Sequence, residues 1–434
     1  PLDRWILEKP FGKDTESCAE LCAAVAGNLD ESTVYRIDHY LGKELVMNVL
    51  VMRFANISFN AIWDRHHIHS VHVVCKETIG TEGRGGYFDQ YGIIRDVMQN
   101  HLLQILALVG MEQPLSLSAE HIRQEKIKLL EAVKPLERSD VLVGQYVGNK
   151  LGKPGYLEDD TIGDKSTVTE TYAICVLTID NPRWAGVPFV LKAGKALDEA
   201  KVEVRIRFHP VRGGVDTLRG CTPNELVIRV QPDERIYWKI TSKVPGLDFS
   251  VETRRMDLLY AHTEASTSWP VPTNPNPVTV LPQTAASASA DGSSGGPGGG
   301  GGGGPSKVEL PGAYERLILE VMRGDQTNFV HADELLASWR IFTPALHELR
   351  AMKQRGEAPE PYEYGSPGPR QAEEVFARRF GFGGTAGFEG QKDDDTRRTA
   401  VAWGKSPGSA HSHSDTHGSE PGTPTQRSSP APTR

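Results

Sequence analysis

The chain has 434 residues, with 48 Lys and Arg against 56 Asp and Glu and a net charge of −8. That balance argues against a general nucleic-acid binder, whose phosphate contacts need a basic surface. No run of about 18 apolar residues offers a membrane span, and five cysteines over this length are no disulfide scaffold but read as reduced thiols. The length suggests about three domains. However, residues 264–307, with a seven-Gly run at 298–304, and 383–434 are too poor in apolar residues to offset their ordering entropy. They are expected to be a disordered insertion and a disordered tail. The chain begins Pro1-Leu2-Asp3, without Met, and is expected to be processed or a fragment, with any localisation signal upstream.

Trp5-Ile6-Leu7 reads as a short strand stopped by Pro10. Asp14 can cap a helix over about 15–27, with Cys18, Leu21, Cys22 and Val25 on one face. Val34–Ile37 is a second short strand, so the start resembles the end of a βαβ arrangement. Leu41, Leu45, Val49 and Met52 have helical spacing, residues 68–77 read as a strand, and Gly80, Gly83, Gly85 and Gly86 mark a loop. Residues 92–111 carry the strongest helical pattern. Beyond about 140 the period becomes two, with strands near 168–179, 202–209, 226–231 and 235–242. These imply a large antiparallel sheet with helices on one face, an α+β fold. Residues 313–352 return to helix.

Arg36-Ile37-Asp38-His39-Tyr40-Leu41-Gly42-Lys43-Glu44 gathers polar groups where a strand should feed a helix. Lys, His and Tyr donors there suit an anion such as phosphate; a solvated helix start with a capping Asp reads equally well. His101, inside an apolar helix, is either a general base or a core histidine bonded to a carbonyl. On an α-helix Asp96 lies about 140° from it, so the two are not expected on one stripe. His66, His67, His69 and His72 cluster, and His67 with His69 could hold a metal, yet no Cys or carboxylate completes the set. A polar strand entrance is the plainer account, and no metal is expected. Cys18 and Cys22 read as small buried residues, and His411, His413 and His417 lie in the loose tail. No dinucleotide or phosphate-loop motif stands in a suitable setting.

Several segments resemble the glucose-6-phosphate dehydrogenases: Glu8–Gly12, Arg36–Glu44, Gly80–Asp89, Gly92–His101, Gly194–Leu197, Asn224–Pro232 and Tyr314–Leu317. The resemblance runs from residue 1 to about 382, outside the 264–307 insertion. It implies residues 1–37 as the last part of a Rossmann-like coenzyme domain and 38–382 as a substrate-binding and dimerisation domain. It implies oxidation of D-glucose 6-phosphate to the lactone with NADP as acceptor, with His101 as base and Asp38 orienting it. By matching positions, His39, Tyr40 and Lys43 become sugar-phosphate donors. Lys9 lies near both sugar and nicotinamide, with a cis Lys9-Pro10 bond. Glu77, Asp96, Lys195 and Gln231 become sugar ligands. Lys201, Arg205, Arg229, Tyr237, Trp238, Lys239 and Asp257 match the lining of a second, structural NADP.

The resemblance also implies a homodimer or homotetramer and a cytoplasmic or plastid enzyme, without membrane or nucleic-acid partners. Four departures stand out. The family's Gly-rich coenzyme turn should lie upstream of Lys9 and is not in these residues. Ala200 and Pro367 stand where many members have Arg, Trp403 is the one candidate for the family's closing aromatic pattern, and 264–307 is extra. A chain without the Gly-rich turn is expected to be poorly soluble and to turn over negligibly by itself. Its alternative role is a non-catalytic module that binds sugar phosphate or pairs with a sister subunit.

Overall fold

The computed structural model describes residues 3–211, 218, 221–258 and 311–381. The insertion, the tail and Trp403 lie outside the described residues. Strand β1 (Trp5–Glu8) pairs in parallel with β2 (Val34–Ile37), joined by helix α1 (Thr15–Ala26). The Asp14 carboxylate accepts from the Ser17 N–H at 3.0 Å, the cap expected at that position. Helices α2 (Glu44–Phe54) and α3 (Ile57–Asn60) follow, then β3 (Ile68–Lys76), α4 (Gly85–Phe88), a π-helix (Ile94–Leu102), α5 (Leu103–Gly110) and α6 (Ala119–Ala132). Next come β4 (Val141–Val147), β5 (Tyr172–Thr178), β6 (Pro188–Gly194), β7 (Lys201–Phe208), β8 (Glu225–Gln231), β9 (Arg235–Lys243) and β10 (Val251–Leu258). The last elements are α7 (Ala313–Arg323), α8 (Ala332–Arg350), α9 (Met352–Arg355), β11 (Glu360–Glu363) and α10 (Arg370–Arg379).

The α+β class is as expected, with differences in detail. The nine-stranded sheet, ordered β10-β9-β8-β7-β3-β6-β5-β4-β11, is mixed rather than antiparallel. β3 pairs in parallel with β6, and β11 with β4. Residues 77–187 intervene between β3 and β6, room for the crossover that parallel strands require. The expected helix over 313–352 is broken at Gly324, whose φ of +83° closes α7. Helices do not keep to one face. The π-helix packs on one side, where Cys175 meets Met98 at 3.7 Å. On the other, Glu373 of α10 accepts from Lys192 Nζ at 3.0 Å.

Candidate active site

The segment from 94 to 102 is a π-helix, not the α-helix that its apolar spacing suggests, and the Leu103 N–H reaches back five residues to Met98 O. An i→i+5 period brings residues five apart onto one side, so Asp96 and His101 face a common site. Lys9 Nζ donates to Asp96 O at 2.8 Å and to Asp96 Oδ1 at 3.1 Å, and it stands 3.3 Å from His101 Nε2. The helix starts at Gly92, whose φ is +71°. There the Ile93 N–H donates to Glu170 O at 2.9 Å and the Ile94 N–H to Glu170 Oε1 at 3.3 Å.

His101 Nδ1 lies 2.6 Å from Asp38 Oδ1, both residues buried. A carboxylate only accepts, so this bond assigns the ring proton to Nδ1 and leaves Nε2 with a lone pair. Burial by itself would raise the Asp38 carboxyl. The neighbouring His101 charge and hydrogen bond and the Tyr40 N–H outweigh it, and the pKa lies below the ordinary value. Tyr40 stacks on the His101 ring with centroids 4.3 Å apart, and His39 packs edge-on at 4.6 Å. Lys43 Nζ sits 5.4 Å from the Tyr40 ring centroid, its pKa lowered by burial, and burial raises that of the Tyr40 phenol.

His39 is pushed down to about 4, first by burial and then by the His101 charge. In the unfolded chain a histidine titrates near ~6.5, so the unfolded state binds more protons between these values and stability falls as pH drops through that window. The thermal midpoint is expected to fall more steeply from pH 6.5 to 4 than that of His39→Asn, as read by scanning calorimetry. Parallel slopes refute this.

Parallel pairing of β3 with β6 sets their carboxyl ends side by side. Glu77 and Lys195, one residue beyond each end, form an ion pair there. This is the rim where α/β sheets commonly bind ligands. Gln231 closes β8 opposite Val202, and no described contact joins it to the His101 cluster. Tyr314 escaped the sequence reading: its ring stacks on His39 at 5.6 Å and its hydroxyl donates to Glu8 Oε1 at 3.0 Å. Its signal lay only in the Tyr314–Leu317 segment, read for family and not for the site. The Lys9-Pro10 bond is cis, as expected.

Beside the dyad lies a small recess of about 30 Å³. Its mouth has Lys9, Pro10, Tyr87 and Tyr91; its buried end has Asp38, Gln99, His101, Gln104, Leu335 and Trp339. Arg95 also lines it, and Arg95 Nη2 is buried with no hydrogen-bond partner. Flat aromatic walls and the Lys9 cation fit a nicotinamide ring at the mouth.

Strand alternation divides the residues matched to a second NADP. Arg205 bonds Glu203 at 2.6 Å and Glu225 at 3.3 Å, Lys201 bonds Glu199 at 2.6 Å, and Arg229 lies 3.6 Å from Glu203. Tyr237, beneath Arg255 at 3.9 Å, and its register partner Asp257 share this side, as does Lys239, 4.0 Å from Glu225. Trp238 does not: one position along β9 from Tyr237, it stacks on Phe208 and Phe59 under the opposite side. The histidines at the start of β3 are not gathered on one centre either. His67 bonds Asp64 at 2.9 Å, His72 bonds Ser70 at 3.0 Å, and His69 packs edge-on to His209. Cys18 and Cys22 are buried on α1, as expected.

Comparison with known proteins follows the same outline. A family model described as the glucose-6-phosphate dehydrogenase C-terminal domain matches residues 50–272 and 304–381, and the NAD-binding-domain model of that family matches 1–48. The chain is 45% identical to a glucose-6-phosphate 1-dehydrogenase of Dictyostelium discoideum, over 89% of this chain and 68% of the relative. It is 45% identical to a cytoplasmic glucose-6-phosphate 1-dehydrogenase of Arabidopsis thaliana, over 86% of this chain and 63% of the relative. A solved glucose-6-phosphate dehydrogenase in complex with glucose 6-phosphate superposes with a TM-score of 0.72 at 42% identity, covering 88% of this chain and 69% of that one.

Proposed function

The chain belongs to the glucose-6-phosphate dehydrogenase family, NADP-dependent oxidoreductases that convert D-glucose 6-phosphate to 6-phospho-D-glucono-1,5-lactone at the entry to the oxidative pentose phosphate pathway, and we propose that His101 is the base of that reaction in this chain. The observation that carries this is the 2.6 Å bond from His101 Nδ1 to buried Asp38. It aims the lone pair of Nε2 into the site and stabilises the ring when it takes a proton. The C1 hydroxyl of the sugar gives its proton to Nε2 as the C1–H bond breaks. The coenzyme supplies the acceptor for the departing hydride. Lys9, between Asp96 and His101, orients the reacting end and faces the nicotinamide side. Glu77, Lys195, Asp96 and Gln231 bind the sugar hydroxyls. His39, Tyr40 and Lys43 take the phosphate, where charge-assisted bonds are the strong ones.

Lys201, Arg205, Arg229, Tyr237, Lys239 and Asp257, sharing one side of the sheet, are the proposed cradle of a second NADP; Trp238 is not part of it. Lys201, Arg205 and Arg229 lie beside carboxylates, so a bound phosphate must compete with those pairs. Exposed Met256 and Leu258 on edge strand β10 support pairing of copies through the sheet. A cytoplasmic location is supported by the Arabidopsis relative, and no described helix is long and apolar enough to cross a membrane.

Lys43→Gln tests the phosphate site. Losing one charge-assisted bond is worth about 1.5–3 kcal/mol, so KM for glucose 6-phosphate is expected to rise roughly 10- to 100-fold with KM for NADP unchanged. Equal changes in both constants refute the placement. The dehydrogenase relatives favour this reading over a non-catalytic subunit-pairing module.

A further inference from the structure

The buried end of the recess holds polar atoms that the mechanism above does not use. Asp38 Oδ2, Gln99 Nε2, Gln104 Oε1 and Arg95 Nη2 are all buried and none has a hydrogen-bond partner. All four residues line this one cavity, and Asp38, Gln99 and Gln104 are 5% exposed or less. An unmet buried polar atom costs about 1–3 kcal/mol, so four in one place call for a shared partner. Their types are complementary: two donors, from Gln99 and Arg95, and two acceptors, from Gln104 and Asp38. A water molecule offers two acceptor sites and two donors, and buried waters in polar cavities make 2–4 such bonds.

We propose that Gln99 and Gln104 are positioning residues for the catalytic base: with Arg95 they hold a buried water that donates its second proton to Asp38 Oδ2. This rests on the reading of His101 as the base. One Asp38 oxygen is committed to His101 Nδ1 and also accepts from the Tyr40 N–H at 3.0 Å. The water fixes the other oxygen, and with it the plane of the carboxylate and the direction of the imidazole. Gln99 on the π-helix and Gln104 on α5 are five residues apart, the spacing that the π turn brings to one side.

A hydrogen bond to the carboxylate stabilises the more negative form of the dyad. Its loss must therefore raise the proton affinity of the Asp38–His101 pair. The other charged and titratable groups around the pair stay in place: Lys9 just after β1, His39 and Lys43 after β2, Asp96 and Arg95 on the π-helix, Cys75 on β3 and Tyr314 on α7.

The test is Gln104→Met in the full chain, with Gln99→Met as a second variant should the first fail to fold. The imidazole titration of the dyad is followed by NMR, assigned by the signal missing in His101→Asn, alongside the pH profile of kcat/KM. The expected result is a titration midpoint raised by about half to one pH unit, with the acid limb of the profile moved by the same amount. KM for glucose 6-phosphate should stay within about twofold of wild type. An unmoved midpoint in two folded variants overturns the network. A moved midpoint with an unmoved activity profile overturns His101 as the base and leaves the network standing.

Discussion

His101→Asn, assayed like the other variants in a protein that also carries the family's Gly-rich coenzyme turn, is expected to lower kcat by about 10⁴-fold while KM for glucose 6-phosphate changes by less than about threefold. The ring is stacked against Tyr40 on one face and edge-packed by His39, so a smaller amide leaves the phosphate donors where they are. What vanishes is the lone pair at Nε2. Asp38→Asn is the companion. It keeps the shape but no longer fixes the proton on Nδ1, and the amide can donate to that nitrogen and turn the ring's proton toward the substrate. A loss of about 10²- to 10⁴-fold is expected. The double variant should be little slower than His101→Asn, because residues that act as a unit are not additive. A His101→Asn protein retaining a tenth of wild-type kcat in a steady-state assay would refute the assignment.

Gly92→Ala is expected to remove about 3 kcal/mol of stability and most activity with it. The backbone there is left-handed, with φ at +71°, and a Cβ would stand 2.3 Å from Glu170 Oε1. Glu170 cannot swing aside: it is buried, and its carboxylate and its main-chain carbonyl both hold the start of the π-helix. Gly83→Ala is the control. Its φ is +84°, yet nothing lies within 4 Å of the added carbon, so only the backbone term of about 1 kcal/mol applies. Urea midpoints of the two variants distinguish them; equal shifts would show that the Glu170 contact carries no weight.

Much of this could be read from the residues because it depends on local chemistry. Val202, Val204 and Ile206 alternate with Glu203, Arg205 and Arg207, and β7 follows. Asp14 can cap only the helix that starts beside it. The pairing of Asp38 with His101 came from the motifs around them, and the 2.6 Å contact agrees with it. What stayed hidden was set by distant partners. Apolar spacing is the same for strands whichever way they run, so the parallel pairing of β3 with β6 has no local signature. Trp238 matched its neighbours by position, but which side of a strand a residue takes depends on register with β8. Tyr314 reaches His39 only through the docking of α7. The π turn was out of reach for a further reason: apolar residues three and four apart describe an α-helix equally well.

The π turn has an evolutionary consequence. Removing one residue between Asp96 and His101 would let the segment relax to an ordinary α-helix, a change that usually costs a helix little. Asp96 and His101 would then stand four apart, again on one face, so the site is compatible with a regular helix only if it carries one residue fewer. Substitutions along this stretch can be sampled one at a time, but its length can change only together with the type of helix. Homologues should therefore pair any loss of the π turn with a one-residue gap between these positions, and grafting the same residues onto a regular helix would not reproduce the site.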